Sequence, residues 1–186
     1  GDVVDGKYEV VRQLEEGGMG VIYEGRNIRI DRRVAIKVMH ASMTRDRELV
    51  ARFEREAPAA AKIASSHIVD VLDLGDLPNG DRYMVMEFLD GESLASRLKE
   101  RERLPPAEVA AIAVQLLEGL AKIHAASILH RDLKPANIFL VRAEGADFVK
   151  IVDLGICKFL GSGEMTAIGN ILGTLSYMSP RSEERR

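Results

Sequence analysis

Residues 130–137 contain the densest group of chemically active side chains in the sequence, reading His-Arg-Asp-Leu-Lys-Pro-Ala-Asn. Five of these eight residues are polar or charged, and they offer an imidazole, a guanidinium, a carboxylate, an ammonium and an amide. The segment lies directly after an apolar helical pattern and directly before an apolar strand pattern. A loop that only joins two elements does not need so many polar groups, so the segment indicates a functional site.

Three other segments could supply chemistry, although each is weak evidence by itself. Asp153 follows a strand pattern and offers a carboxylate at the strand end, with a flexible glycine at Gly155. The cluster Gly17-Gly18-Met19-Gly20 lies between two β-rich segments, and glycines in a hairpin are more often plain turn geometry than a phosphate-binding loop. Lys37 lies on a predicted strand, where a single lysine is usually a surface residue.

Taken together, these segments occur in the order of the protein kinase signature set. The glycine cluster, Val34-Ala35-Ile36-Lys37, residues 130–137 and Asp153-Leu154-Gly155 follow one another along the chain. From Tyr8 to Pro180 the sequence therefore resembles a protein kinase catalytic domain, and it is most similar to the eukaryotic-like Ser/Thr kinases of bacteria. The resemblance implies ATP and Mg²⁺ as cofactors and transfer of the γ-phosphate to Ser or Thr hydroxyls of protein substrates.

The resemblance gives each polar residue of the catalytic loop a role. Asp132 would accept the proton of the substrate hydroxyl or orient it, a largely positional role because an ordinary carboxylate is a weak base at pH 7. Lys134 would stabilise the transferring phosphoryl group. Asn137 and Asp153 would supply the oxygen ligands that Mg²⁺ selects. His130 is expected to be a packing residue.

The resemblance also implies how the phosphates of ATP are held. Gly17, Gly18 and Gly20 would let backbone N–H groups approach the triphosphate without obstruction by a Cβ atom. Lys37 would neutralise the α- and β-phosphates, and its partner would be Glu56, which lies in an Arg-Glu-Ala sequence on a predicted helix.

An apolar adenine pocket is expected beside the phosphate site. Ile22 and Ala35 would face the base from above and Phe139 from below, and Met86 occupies the gatekeeper-like position. The backbone of a connecting hinge would hydrogen-bond adenine, and its residues are Glu87, Phe88 and Leu89.

Residues 156–179 resemble an activation loop. Arg131 beside the catalytic aspartate marks the kinases in which a loop phosphate can pair with arginine. The candidate hydroxyls are Ser162, Thr166 and Thr174. Thr174 is expected to position the substrate hydroxyl near Asp132, and Thr166 is the predicted autophosphorylation site.

The sequence departs from the kinase pattern in three places. Glu15 replaces the first glycine of the phosphate loop and adds an anion there, and Pro58 falls inside the predicted helix that carries Glu56. After Pro180 the family has a glutamate, whereas this chain has Arg181 and a short charged tail. The third departure predicts a C-terminally truncated kinase domain.

The elements that must position these residues form two groups. Five strands are predicted, within 8–14, 21–23, 33–39, 68–75 and 82–89, with a helix over 45–63 between the third and fourth. A helix over 106–126 and a hairpin of strands over 138–142 and 147–152 follow. The expected fold is α+β, in the form of a two-lobed kinase: an antiparallel five-stranded N-lobe over about 1–87, a hinge over about 87–91 and a mainly helical, incomplete C-lobe over about 92–186.

Composition restricts the other functions open to the chain. The formal net charge is −3, the pI is near 5.9 and no long basic segment occurs, which argues against a nucleic-acid partner. The single Cys157 excludes an internal disulfide and fits a reducing compartment. No apolar segment is long enough to span a membrane, so a cytoplasmic location is expected, although a longer parent protein could be membrane-anchored.

Two alternatives remain beside the Ser/Thr kinase. One is a nucleotide-binding or scaffolding fragment without turnover, which the expected truncation favours and the presence of Lys37, Asp132, Asn137 and Asp153 disfavours. The other is a small-molecule phosphotransferase of kinase-like fold, which Lys134 and Thr174 disfavour.

Overall fold

A computed structural model describes residues 1–18, 20–41, 43–44, 50–51, 53–54, 63–130, 132–143, 145–153 and 177. Within these residues the chain forms a six-stranded antiparallel sheet, a three-stranded antiparallel sheet, two complete α-helices and part of a third. The larger sheet is made of β1 (Val3–Val4), β2 (Tyr8–Gly17), β3 (Gly20–Asn27), β4 (Arg32–Met39), β5 (Val71–Asp76) and β6 (Arg82–Glu87). The smaller sheet is made of β7 (Gly91–Ser93), β8 (Ile138–Val141) and β9 (Phe148–Ile151).

The larger sheet has the strand order β1-β2-β3-β4-β6-β5, which confirms the antiparallel N-lobe. All five predicted strands are present, and the two-residue strand β1 adds a sixth at the edge. β4 is apolar on both faces, as expected for a strand covered on both sides. Val34 and Ile36 pack into a core cluster with Tyr83 and Val85, while Met39 packs on the opposite face.

Part of the helix predicted over 45–63 is visible in the described residues. Residues 50–51 and 53–54 are helical. Phe53 is buried and packs with Met39 and Met84 on the second face of the sheet. The helix therefore covers the sheet from the side on which Lys37 lies.

Two helices follow the larger sheet, α1 (Leu94–Arg101) and α2 (Pro106–Ala125). α1 was not predicted from the sequence, although Ser93 caps it: the Ser93 hydroxyl accepts a hydrogen bond from the Ser96 N–H at 3.0 Å. α2 matches the prediction over 106–126, with Pro106 in its first turn.

Apolar residues recur at helical spacing along α2 and predict one buried stripe, which is mostly confirmed: Val109, Ile112, Ala113, Leu116, Leu120 and Ile123. Ile112 and Ile123 are buried. Leu116 packs against the core clusters that contain both of them, and Leu120 packs against the cluster that contains Ile123. Val109 was expected on the same stripe but is 49% exposed, because it lies in the first turn, before Ile112, where the buried part of the helix begins. None of the described helices is long and apolar enough to cross a membrane.

The residues between the larger sheet and β9 join the two groups of elements. The Val69 N–H donates to the Ile151 carbonyl at 3.0 Å, and the Ile151 N–H donates to the His67 carbonyl at 2.8 Å. Gly119 of α2 lies against this junction, since a Cβ there would be 2.8 Å from the Ile151 Cδ1 atom. The strand that leads to Asp153 is thus fixed to the segment that leads into β5.

A partly buried ion cluster around Arg97 fixes α1. Its guanidinium lies 2.9 Å from Glu92 and 3.3 Å from Glu108, and it also contacts Asp147 in the turn between β8 and β9. The hydrogen bond to Asp147 raises the pKa of Arg97 above its ordinary value, outweighing the opposite effect of burial. One side chain thereby joins both helices to the smaller sheet.

Replacing Arg97 tests this arrangement. Arg97→Met should lower the free energy of unfolding by about 3 kcal/mol, because three partly buried carboxylates lose their cation. Urea denaturation measures the change. The matched control is Arg101→Met: Arg101 also binds Glu108, but it is 44% exposed where Arg97 is 11% exposed, and its loss should cost no more than about 1 kcal/mol. Equal losses for the two variants would contradict a special role for Arg97.

Candidate active site

Three residues of the catalytic loop come together around the Asp132 carboxylate. The Lys134 Nζ atom lies 3.0 Å from Asp132 Oδ2. The Asn137 amide donates to the Asp132 backbone carbonyl at 2.8 Å and to Asp132 Oδ2 at 3.3 Å. A single 3₁₀ turn, Pro135–Asn137, makes this possible by folding the chain back on itself. Asp132 and Asn137 are buried, so the carboxylate is held in one orientation.

His130 lies behind this loop and contacts it through the backbone. Its carbonyl accepts the Asp132 N–H at 2.8 Å, and its Nδ1 atom accepts the same N–H at 3.3 Å. The Nε2 atom is buried and has no hydrogen-bond partner among the described residues. Burial lowers the pKa of His130 below its ordinary value, although the nearby Asp132 carboxylate opposes that shift. These surroundings are consistent with the packing role expected for it.

Lys37 and Asp153 meet across 116 residues of sequence, with the Lys37 Nζ atom 2.6 Å from Asp153 Oδ1. Lys37 lies on the central strand β4 and is buried. Asp153 follows β9 and has a φ of 53°, in the left-handed region that non-glycine residues seldom occupy. That conformation ends the strand and turns the carboxylate toward β4. Strain of this kind is common at functional sites.

The two predicted metal ligands are linked to each other. The Val152 N–H donates to the Asn137 carbonyl at 3.0 Å, which places Asp153 directly beside the catalytic loop. Because Asn137 uses its amide nitrogen for Asp132, its Oδ1 oxygen is the atom left for a cation. A carboxylate and an amide oxygen suit Mg²⁺, and a buried lysine beside them suits phosphate, so the residues fit the expected cofactors.

The glycine cluster forms a hairpin turn, with Gly17 paired to Gly20 at the ends of β2 and β3. Gly20 must be glycine for space, since a Cβ there would lie 2.1 Å from the Val38 carbonyl oxygen. The His40 Nε2 atom lies 2.9 Å from the Gly17 carbonyl oxygen and fixes the turn to the end of β4. His40 was not predicted as a site residue, because a lone histidine after a strand carries no signal for this contact.

Several predicted adenine-pocket residues lie close together. Ala35 pairs with Met86 across β4 and β6, and both pack in one apolar cluster with Leu89 and Val152. Ile22 is the direct neighbour of Lys37 in the β3–β4 register. These contacts form an apolar surface beside the ion pair of Lys37 and Asp153.

Phe139 and Glu87 complete the predicted pocket. Phe139 is half-buried on β8, opposite Ser93 and Lys150, and its place beneath adenine stays a prediction. The Glu87 N–H donates to the Asp70 carbonyl at 3.0 Å, and its carboxylate accepts the Asp70 N–H at 2.8 Å. The Glu87 side chain also contacts Lys150, a partner that the sequence analysis did not identify.

Several predicted site residues lie outside the described part of the chain. They are Glu56, Pro58, Arg131, Ser162, Thr166, Thr174 and Arg181.

Comparison with protein families matches residues 8–183 to the protein kinase domain. Among curated proteins, the chain is 44% identical over 178 residues to the serine/threonine-protein kinase Pkn1 of Myxococcus xanthus, covering 94% of this chain and 25% of that protein. It is 38% identical over 185 residues to a probable serine/threonine-protein kinase, pknA2, of Bifidobacterium longum, covering 98% of this chain and 24% of that protein. The chain thus spans about a quarter of the length of these relatives.

Among solved structures, the chain is similar to the kinase domain of Mycobacterium tuberculosis PknI. The TM-score is 0.71 and the sequence identity is 32%, and the match covers 83% of this chain and 62% of that one. The two-lobed kinase fold expected from the motifs is therefore confirmed.

The buried imidazole of His130 predicts how stability responds to acid. Its pKa is lower in the folded state than in the unfolded chain, so the unfolded state takes up a proton first as the pH falls. The free energy of unfolding should decrease as the pH drops through the ordinary histidine value of about 6.5. Urea denaturation at several pH values measures this.

A His130→Phe variant should lose part of that acid sensitivity. The control is His124→Gln, which alters an exposed histidine on α2 and should leave the pH dependence unchanged. The same acid response in the unsubstituted chain and in His130→Phe would contradict the assignment.

Proposed function

This chain belongs to the protein kinase domain family, and we propose that it binds ATP with Mg²⁺ and transfers the γ-phosphate to Ser or Thr hydroxyls of protein substrates. The observation that carries the proposal is the ion pair of Lys37 and Asp153, 2.6 Å long, directly beside the catalytic loop. The pair brings a phosphate-binding cation and a metal-binding carboxylate to the same place.

Lys37, the glycine turn and the apolar surface form the nucleotide site. Lys37 supplies the charge that neutralises the α- and β-phosphates, and the turn at 17–20 supplies backbone N–H groups. Ala35, Met86 and Leu89 offer an apolar surface to adenine. The phosphate end of the nucleotide thus meets positive charge and N–H groups, while the base end meets an apolar surface. This difference orients the nucleotide in the site.

Asn137 and Asp153 hold the metal. When bound, Mg²⁺ would neutralise the negative charge that develops on the phosphate oxygens during transfer. The link from the Val152 N–H to the Asn137 carbonyl keeps the two ligands in register.

Asp132 and Lys134 act on the reacting groups. Lys134 and Asn137 hold the Asp132 carboxylate before substrate arrives, so Asp132 can orient the attacking hydroxyl without reorganising. Lys134, 3.0 Å from that carboxylate, is placed to stabilise the phosphoryl group as it leaves the nucleotide. Lys134 and Thr174 support a Ser/Thr substrate, as do the relatives named serine/threonine-protein kinases.

Asp132→Asn tests the catalytic part of the proposal. Transfer of label from ATP to a generic protein substrate should fall by about 100-fold or more, since a neutral amide replaces the anionic oxygen that orients the hydroxyl and can accept its proton. Nucleotide-dependent thermal stabilisation should persist, because Lys37 and Asp153 are intact. Asp31→Asn serves as the control, because it removes an exposed carboxylate far from the site and should leave transfer unchanged.

Two outcomes of this experiment contradict the kinase proposal. Stabilisation by nucleotide without transfer in the unsubstituted chain would identify a nucleotide-binding fragment. Equal transfer by the unsubstituted chain and by Asp132→Asn would place the catalytic group elsewhere.

Autophosphorylation at Thr166 is the second part of the proposal. Incubation with ATP and Mg²⁺ followed by phosphopeptide mapping should place the label on Thr166, and Thr166→Ala should remove it. Ser162→Ala is the control in the same loop and should keep the label. Label found only on other residues would contradict the assignment.

A further inference from the structure

A partly buried ion pair joins the adenine side of the site to β9, the strand directly before the predicted metal ligand Asp153. Glu87 ends β6 and Lys150 lies on β9, 63 residues away in sequence. Their side chains are 17% and 12% exposed, so water has little access to either charge. Such a pair is stable only while both partners are present, since removing one leaves the other charge buried and uncompensated.

The Glu87 carboxylate holds a second group besides Lys150. Its Oε1 atom also accepts the Asp70 N–H at 2.8 Å, while the Glu87 N–H donates to the Asp70 carbonyl at 3.0 Å. Glu87 is therefore fixed at its backbone and at its side chain.

The segment at 67–70 continues this connection to β9. Val69 and His67 exchange backbone hydrogen bonds with Ile151, and Ile68 forms a parallel bridge with the same residue. Lys150 precedes Ile151, and Asp153 follows two residues later. The hinge edge, residues 67–70 and the strand before Asp153 thus form one continuously bonded unit.

The hinge is also held from its other side. The Arg33 guanidinium lies 3.9 Å from the centroid of the Phe88 ring, and Arg33 is ion-paired with Glu24 at 2.9 Å. Glu87 and Phe88 are therefore anchored to different strands, which leaves the backbone that faces the base little freedom to shift.

We propose that Glu87 and Lys150 are a positioning pair that couples the base site to the metal ligand Asp153. The pair fixes the distance between the backbone beside Met86 and the carboxylate of Asp153. A nucleotide held by its base then meets a correctly placed metal ligand, so Mg²⁺ strengthens nucleotide binding more than it could with a displaced Asp153. This inference rests on the proposed nucleotide and Mg²⁺ site.

Nucleotide affinity with and without Mg²⁺ tests the coupling. The dissociation constant of a non-hydrolysable ATP analogue is measured in EDTA and in excess Mg²⁺, and their ratio is the gain that Mg²⁺ provides. In Lys150→Met the gain should fall by about 5-fold, the lower end of typical coupling between sites. Affinity in EDTA should change little, because the phosphate-binding Lys37 and the apolar surface remain.

Three variants complete the design. Glu87→Gln keeps the shape and the acceptor oxygen for Asp70, so it preserves the fold if Lys150→Met does not, and it should lower the gain in the same direction. Lys150→Arg keeps the positive charge and should show the same gain from Mg²⁺ as the unsubstituted chain. Lys99→Met removes an exposed lysine of α1 and should leave the gain unchanged.

The possible results separate this inference from the proposed function. An unchanged or larger gain in Lys150→Met and Glu87→Gln, with Mg²⁺-dependent binding intact in the unsubstituted chain, overturns the coupling alone. Equal weakening in EDTA and in Mg²⁺ also overturns it, since that pattern indicates a purely structural role. If the unsubstituted chain binds no nucleotide under either condition, the proposed function is wrong, and the coupling that rests on it is wrong as well.

Discussion

Lys37 and Asp153 can form an ion pair only if the middle of the larger sheet meets the end of the smaller one. The two residues are 116 positions apart, and their charged atoms lie 2.6 Å from each other. The hydrogen bonds of residues 67–69 to Ile151 hold the sheets at the required separation, and Gly119 lets α2 approach that junction. The left-handed conformation of Asp153 completes the geometry by turning its carboxylate away from the direction of β9.

Partly or fully buried charged groups hold several elements of this fold against one another. Arg97 joins the two helices to the smaller sheet, Lys150 and Glu87 join the hinge to β9, and Glu24 receives two arginines on the larger sheet. Burying such groups costs free energy that their partners offset only in good geometry, so each cluster specifies a position more than it adds stability. In the candidate site, Lys134 and Asn137 fix the position of the buried Asp132 carboxylate in the same way.

The order of elements was readable because periodicity and turn residues are local properties. β4 shows this well: the alternation of side chains along a strand predicts two faces, and Val34 and Ile36 pack apart from Met39. α1 was missed because it is only eight residues long and mostly polar, with two large apolar side chains, Leu94 and Leu98, to mark its apolar face. Val109 was expected to be buried and is exposed, because a helical pattern shows which residues share a face but not how far along the helix the core extends.

The sequence by itself determined the family and named the candidate site residues, because the motifs are short and their order along the chain is sufficient to recognise them. Only the tertiary structure decided which of those residues meet. The contacts of Lys37 with Asp153, of Glu87 with Lys150 and of His40 with Gly17 join residues 23 to 116 positions apart. Such contacts depend on how sheets and helices pack, and packing geometry leaves no periodic signal in the chain.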